Sequence, residues 1–177
     1  MRKFGVFTSA VFLFALAAGC YGVLHDQITF SISSEYFTKF KYIQFGINPD
    51  DFGGHRIAVG IIGFLATWWV GMILGFAVGL VGLLFRDDKS MKAAMITSTF
   101  IIIFTAIVIA IFGYFYGKFY LVSNGVSWWL PENLTDKPGF IIVGSIHNFS
   151  YLGGALGLLL SLVYLIRKLI SQSKGNY

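Results

Sequence analysis

The sequence predicts an all-α membrane protein, a bundle of four transmembrane helices with a structured extracytoplasmic loop between the first two spans. Composition is the first reason for this prediction. Hydrophobic residues make up 56% of the chain and charged residues only 12%, and the mean hydropathy is +0.76. Soluble proteins carry about 25% charged residues, so this chain has too few charges to cover a water-facing surface. The second reason is that the apolar residues are concentrated in long runs, which is typical of membrane spans.

The chain contains four such runs, at residues 4–24, 57–84, 93–116 and 140–166. A helix rises about 1.5 Å per residue and the hydrocarbon core is about 30 Å thick, so roughly 20 apolar residues are enough to span it. All of the runs reach that length. None has an ionisable residue near its middle, which argues against a proton or ion path through the bilayer centre. We therefore expect residues 1–177 to form a single integral membrane domain, with loops at residues 25–56 and 117–139.

The basic residues predict the orientation of this domain. One side has a dense set close to the helix ends, namely Arg2, Lys3, Arg86, Lys89, Lys92, Arg167, Lys168 and Lys174. The other side has a set spread over longer loops, namely Lys39, Lys41, Arg56, Lys118 and Lys137. The positive-inside rule then predicts a multi-pass protein of the bacterial inner membrane with both termini in the cytoplasm. The net charge of +5 is explained by these flanking residues, so we expect the lipid bilayer as partner and no nucleic acid.

The first run has a second interpretation. Its basic start, its apolar core and the small residues before Cys20 resemble a lipoprotein signal peptide, whose cleavage would leave Cys20 as a lipidated N-terminus. The run is also long enough to span the bilayer, so both interpretations stay open. Because Cys20 is the only cysteine, an intrachain disulfide and a CxxC-type site are excluded.

The first outer loop is predicted to contain a short strand followed by an interfacial helix. The strand is indicated by apolar residues that alternate with polar ones, at Ile28, Phe30 and Ile32. The helix is indicated by apolar residues at helical spacing, at Tyr36, Phe37, Phe40 and Ile43, with Lys39 and Lys41 elsewhere on its surface. Such an amphipathic helix either lies in the headgroup region or packs on the transmembrane bundle.

Small residues indicate which helix faces meet. The second span has Gly63, Gly71, Gly75 and Gly79 at multiples of four residues, the third has Gly113 and Gly117, and the fourth has Gly144, Gly153, Gly154 and Gly157. In lipid, helices associate through close backbone approach, so these ridges predict packing within the bundle. The alternative is that some ridges contact a second copy of the chain or a partner in a larger membrane complex.

Three histidines, His25, His55 and His147, are predicted to lie in the outer half of the bundle. His25 ends the first span and His55 precedes the second. His147 lies about 10 Å inside the fourth span if that helix starts near Phe140. Each shares a helix face with small residues, so each should point toward neighbouring helices rather than lipid.

These histidines, together with the nearby Asp26 and Glu35, form the candidate site. Imidazole suits transition metals, so the set could bind a divalent ion such as Zn, Fe or Cu, with the carboxylates as ligands or orienting groups. The same groups could instead act as acid and base without metal, in which case His25, Asp26 and Glu35 are the catalytic candidates. The alternative to a shared site is a set of separate histidines, each bonded to backbone or carboxylate.

Three segments carry a family resemblance. The His25-Asp26-Gln27 tripeptide, the Glu35-Tyr36-Phe37-Thr38 segment and the ATWWVG segment at residues 66–71 resemble a bacterial family of small four-span inner-membrane proteins that has no assigned activity. The resemblance implies the topology and a histidine early in the last span, but no mechanism. It also implies that His25, Asp26, Gln27 and Glu35 belong to one unit.

The leading functional hypothesis is thus an integral membrane protein with a histidine and carboxylate site at its outer mouth. One alternative is a non-catalytic accessory or assembly subunit of a larger membrane complex. A further alternative is a small-molecule transporter. It is the weaker one, because few polar groups lie at the midplane. The sequence contains no P-loop, HExxH, GxSxG or dinucleotide-binding motif.

Overall fold

The computed structural model of this protein describes residues 2–174. Within that range four helices are long and apolar enough to cross a membrane, at Arg2–Ile32, His55–Gly82, Asp88–Asn124 and Lys137–Ser173. The corresponding regular elements are α1 (Arg2–Ile32), α3 (His55–Gly82), α4 (Asp88–Tyr116) and α6 (Lys137–Lys174). The chain is therefore an all-helical, multi-pass membrane protein, as the apolar runs predict.

Short elements lie between the long helices. A π-helical turn (Phe37–Lys41) and α2 (Tyr42–Phe45) follow α1, and a 3-10 turn (Pro49–Phe52) leads into α3. A second π-helical turn (Gly117–Leu121) and α5 (Val122–Asn124) extend α4 beyond its regular end. These elements lie at one end of the bundle, which we call the loop end. The end that carries the start of α1 and the end of α6 is called the terminal end.

The four long helices pack as two pairs, because glycines allow close approach within each pair. α1 runs along α3, and α4 runs along α6. Gly63 of α3 faces the backbone of Gly22 in α1, and Gly153 of α6 faces the backbone at Ala106 in α4. In lipid, such small residues let backbones approach closely enough for dispersion and weak polar contacts to hold helices together. The glycine ridges named above thus contact neighbours within the chain, with the exception of Gly154, which has open space beside it.

Two hydrophobic clusters mark the two ends. At the terminal end, Phe14, Val78 and Met95 pack with Leu165, and the Lys3 ammonium donates to the carbonyl of Phe85. At the loop end, the short elements after α1 pack onto the starts of α3 and α6, with Tyr36, Phe37, Ala58, Val59, Ile62, Phe140 and Val143 in the cluster. The loop end is therefore a packed layer rather than a set of free loops.

The predicted strand is wrong, because the structure has no strand within residues 2–174 and residues 28–32 belong to α1. Alternation over so few residues also fits a helix in which Ile28 and Ile32 share one face. Hydroxyl side chains bond back along this helix, with Ser31 Oγ donating to the Gln27 carbonyl at 3.0 Å. Arg56 then fixes the last turn, since its guanidinium donates to the Gln27 carbonyl at 2.9 Å and to Ser31 Oγ at 3.0 Å.

The loop segment that follows packs on the bundle with part of its apolar surface. Tyr36 and Phe37 are buried, whereas Ile43 is 76% exposed. The helical spacing predicts Lys41 on the surface, and this prediction is wrong. Lys41 is only 6% exposed, and its ammonium lies among aromatic rings, 5.5 Å from the centroid of Phe45. The segment therefore covers the end of the bundle with aromatic side chains.

Candidate functional site

Three of the predicted site residues meet between α1 and α6. His25 and Asp26 lie in the last turns of α1, and His147 lies in the third turn of α6. Each residue offers one potential ligand atom, and these atoms lie within 4.8 Å of one another. Asp26 and His147 are buried, at 3% and 6% exposure. We call this group the His–Asp–His cluster.

One carboxylate oxygen connects the two rings. Asp26 Oδ1 lies 3.0 Å from His25 Nδ1 and 3.2 Å from His147 Nε2. The two imidazoles meet edge to face, with ring centroids 4.6 Å apart and an interplanar angle of 88°. Among the described residues, the second carboxylate oxygen of Asp26 and the Nε2 atom of His25 are both buried and lack a hydrogen-bond partner. Buried polar atoms without partners are rare and costly, so this cluster has capacity for a further ligand.

The backbone determines the tautomer of His147. Its Nδ1 lies 2.9 Å from the carbonyl oxygen of Val143, which can only accept, so Nδ1 carries the hydrogen. In the neutral ring Nε2 is then an acceptor, and it faces an oxygen of Asp26 that is also an acceptor. Two acceptors at 3.2 Å repel each other unless a proton or a cation lies between them. The His–Asp–His cluster is therefore built to hold one positive charge.

One pair of ligand atoms, on Asp26 and His147, has the spacing that a transition metal requires, and His25 lies close enough to add a third ligand atom after a small rotation of its ring. A tetrahedral ion with bonds of about 2.0–2.1 Å to nitrogen and oxygen places its ligand atoms about 3.3 Å apart. The separation of 3.2 Å between Asp26 Oδ1 and His147 Nε2 is close to that edge length. The bond from His147 Nδ1 to the Val143 carbonyl is also the outer contact that usually orients a ligating histidine. Three protein ligands would leave a coordination position open for a further ligand.

Aromatic residues enclose the cluster on the side of the loop end. The Tyr36 ring stacks on His147 with centroids 4.7 Å apart, and Phe37 lies 6.4 Å from the same ring. On the bilayer side, the Tyr21 ring lies 5.5 Å from His25. The Tyr21 hydroxyl forms a 2.7 Å hydrogen bond with Ser150 Oγ, which joins α1 to α6 just below the cluster.

Glu35 and His55 lie outside the cluster and have partners of their own. The Glu35 carboxylate pairs with the Lys39 ammonium at 2.8 Å and accepts from the backbone N–H of Asp136 at 2.6 Å. His55 Nδ1 lies 3.0 Å from the Tyr42 hydroxyl, and its ring stacks on that of Tyr42. Both residues therefore connect the loop segment to its surroundings rather than to His25 and His147.

Two charged groups of the loop segment have shifted pKa values. The hydrogen bond from Lys39, helped by the backbone N–H groups of Asp136 and Thr135, lowers the pKa of Glu35 from 4.5 to about 2. Burial lowers the pKa of the Lys41 ammonium, against the attraction of the negative charge of Asp26. Lys41 is thus a buried basic group of the loop segment that lies within electrostatic range of Asp26.

The sequence interpretation missed the parts of the site that depend on tertiary packing. Tyr36 is predicted as a member of an apolar helix face, but its contact with His147 depends on how the loop segment folds over α6. The hydrogen bond from His147 to the Val143 carbonyl could have been predicted from the sequence, because Val143 lies four residues before His147 in a helix. A histidine ring at that spacing can donate to the carbonyl of the preceding turn.

No protein-family model, curated protein or solved structure matches this chain. Membership of the bacterial family suggested by the HDQ, EYFT and ATWWVG segments therefore stays a prediction. The interpretation of Cys20 as a lipidation site also stays a prediction; in the structure Cys20 lies within α1 and is exposed.

Proposed function

We propose that this chain is a multi-pass protein of the bacterial inner membrane that binds a divalent transition metal ion at the His–Asp–His cluster. His25, Asp26 and His147 supply the ligand atoms, and the cluster faces the outer half of the bilayer. Both termini lie in the cytoplasm, because the basic residues near helix ends are concentrated at the terminal end.

One contact carries the metal proposal. The 3.2 Å approach of Asp26 Oδ1 to His147 Nε2 joins two acceptors once Nδ1 of the ring is committed to Val143. A divalent cation held by Asp26 and His147 would replace this repulsion with attraction and would compensate the carboxylate charge. Charges buried among apolar residues are normally paired or coordinate metals, which favours a cation at this place.

The metal version is tested by elemental analysis of protein purified in detergent without added metal. The expected result is about one equivalent of Zn, Fe or Cu per chain, since three protein ligands describe one site. His147→Gln should remove most of it. The matched control is His55→Gln, which makes the same exchange at a histidine outside the cluster and should retain the metal. Metal-free wild-type protein that also takes up none of these ions on titration would disprove the metal version.

A second candidate function rests on the same contact. A proton shared between Asp26 and His147 would also remove the repulsion, so the cluster would then act as an acid–base site within the membrane. Elemental analysis separates the two versions, because the acid–base version requires no stoichiometric metal. An accessory subunit would require a partner, and a transporter would require a transported molecule. No contact among the described residues favours either role over a metal or acid–base site.

A further inference from the structure

A groove of about 440 Å³ lies beside the His–Asp–His cluster, between α1 and α4. His25 and Tyr21 belong to one wall, and Ile111 and Tyr114 belong to the other. Apart from Thr29, the remaining residues of the lining are apolar. A cavity of this size and composition is within the range that small-molecule sites usually have, about 300–1,000 Å³.

The groove opens toward the bilayer. Its rims include Leu24 and Ile28 of α1, which are 66% and 65% exposed, and these residues belong to a membrane-spanning helix. Exposed apolar side chains on a spanning helix face hydrocarbon. Any molecule that enters the groove from its open side is therefore dissolved in the membrane.

The opposite approach to the cluster is closed by the loop segment. Tyr36 stacks on His147 and is 7% exposed, and the neighbouring Phe37 is fully buried. His25 has a different environment, because it forms part of the groove wall and its side chain is 10% exposed. The groove is thus an open space that adjoins a member of the cluster from the side of the lipid.

The depth of His25 matches the polar part of a lipid. The apolar run that starts at Phe4 reaches about 30 Å when it ends at Leu24, which is the thickness of the hydrocarbon core. This run places His25 at the boundary between hydrocarbon and headgroups. The run that starts at Phe140 places His147, whose ring lies 4.6 Å from that of His25, about 10 Å inside it, so the cluster lies within about 10 Å of the headgroups. The part of the groove at Tyr21 lies about one helical turn deeper, within the hydrocarbon.

We propose that the groove is a lateral entrance for an acyl-chain lipid, whose chain lies between α1 and α4 and whose carbonyl or carboxylate oxygen reaches the cluster beside His25. This inference rests on the proposed function, because it assigns a ligand class to the same cluster. Oxygen atoms of this kind are ligands for divalent metals, and three protein ligands leave a position open for one.

The test uses phospholipids that carry a photoreactive diazirine in the acyl chain, with the full chain reconstituted in lipid nanodiscs. One probe has the diazirine next to the acyl carbonyl and the other has it about five carbons further along the chain, because Tyr21 lies about 6 Å deeper than His25. After illumination, the labelled residues are identified by mass spectrometry. The first probe should label the groove at the level of His25 and Ile111, and the second should label it near Tyr21 and Ile107.

A matched pair of variants tests whether the groove itself binds the lipid. Ile111→Trp places a larger side chain in the groove and should reduce labelling of its residues several-fold. Ile73→Trp makes the same exchange on α3, outside the groove, where Ile73 is 58% exposed, and should leave that labelling unchanged. The map of wild-type labelling remains decisive if Ile111→Trp does not fold.

Three results would overturn the proposal. They are labelling spread evenly over all lipid-facing helices, groove labelling that Ile111→Trp does not change, and crosslinks between two copies of the chain in place of lipid adducts. The metal content of the same samples is an independent measurement. Groove labelling without metal would contradict the proposed metal site alone, whereas bound metal without groove labelling would contradict the lipid entrance alone.

Discussion

Asp26 Oδ1 lies 3.2 Å from Nε2 of His147, although an ionised carboxylate and a neutral imidazole with its hydrogen on Nδ1 can only accept at these atoms. The contact also joins the two helix pairs, since Asp26 belongs to α1 and His147 to α6. A cation at this place would therefore contribute both to a functional site and to the association of the pairs. Removal of metal and substitution of Asp26 separate these contributions.

Removing metal should destabilise the wild-type protein. A ligand that binds only the folded state adds about 2.7 kcal/mol at a concentration of 100 times its dissociation constant. We therefore expect a strong chelator to lower the unfolding temperature of detergent-solubilised protein by several degrees. Asp26→Asn should abolish this chelator effect, because an amide oxygen is a poorer ligand and brings no charge. The measurement is a thermal scan with and without chelator.

Asp51→Asn is the matched control for this prediction. It makes the same exchange at an exposed loop residue outside the cluster and should keep the full chelator effect. If the wild-type protein unfolds at the same temperature with and without chelator, metal does not bridge α1 and α6, and the acid–base version of the site is favoured.

The Glu35 carboxylate should stabilise the loop end in a pH-dependent way. Its pKa is lowered from 4.5 to about 2 in the folded state, first of all by the Lys39 ammonium. A lowered folded pKa means that its stabilising contribution is fully present above pH 4.5 and is lost as the pH falls toward 2. Glu35→Gln should therefore unfold at a lower temperature than wild type at pH 7. The difference between the two should shrink in scans at progressively lower pH.

Glu132→Gln serves as the control for Glu35, since Glu132 is an exposed carboxylate in the other loop of the same end. Its unfolding temperature should follow that of wild type at each pH. A Glu35→Gln difference that stays constant from pH 7 to pH 3 would mean that the ionised carboxylate does not stabilise the fold.

The sequence predicts the fold well because hydrophobicity over long runs is a strong signal. Every predicted span overlaps a helix, although α1 extends beyond residue 24 to Ile32 and α6 extends beyond residue 166 to Lys174. Hydropathy alone could not predict the extension of α1, since the last turn of α1 is bonded to Arg56 of α3, whose guanidinium donates to the Gln27 carbonyl and to Ser31 Oγ. The same extension explains why the short alternating pattern at residues 28–33 is misleading.

The candidate site could be predicted in part because the apolar runs determine how deep each residue lies in the bilayer. Depth along the spans brings His25, Asp26 and His147 to the same end of the bundle, within about 10 Å of one another in depth, and the structure places them together. Depth does not determine which neighbouring side chain each residue contacts. Glu35 lies within reach of Lys39, one helical turn away, and His55 lies against Tyr42, so neither contacts the cluster. Such short-range competition is not visible in the spacing of residues along the chain.

The contact between α1 and α3 should be sensitive to a single methyl group. A Cβ atom at Gly63 would lie inside van der Waals distance of the Gly22 backbone, which cannot rotate away as a side chain can. Overpacking of this kind costs about 1–3 kcal/mol. Gly63→Ala should therefore lower the unfolding temperature in detergent and raise the proportion of aggregated protein on size-exclusion chromatography.

Gly154→Ala is the matched control, because nothing lies within 4 Å of a Cβ atom at that position. It should be neutral or slightly stabilising, since alanine favours a helix interior by up to about 1 kcal/mol over glycine. Equal destabilisation by both variants would show that loss of glycine itself, rather than contact between α1 and α3, is responsible.

The orientation of the bundle can be tested with single cysteines in a Cys20→Ser background. Glu132→Cys lies at the loop end and Lys89→Cys at the terminal end, and both positions are exposed. Because basic residues close to helix ends are retained in the cytoplasm, a membrane-impermeant maleimide should label Glu132→Cys in intact spheroplasts. Lys89→Cys should react only after the membrane is permeabilised. The reverse pattern would place the His–Asp–His cluster in the cytoplasmic half of the bilayer, where its metal would come from the cytoplasm.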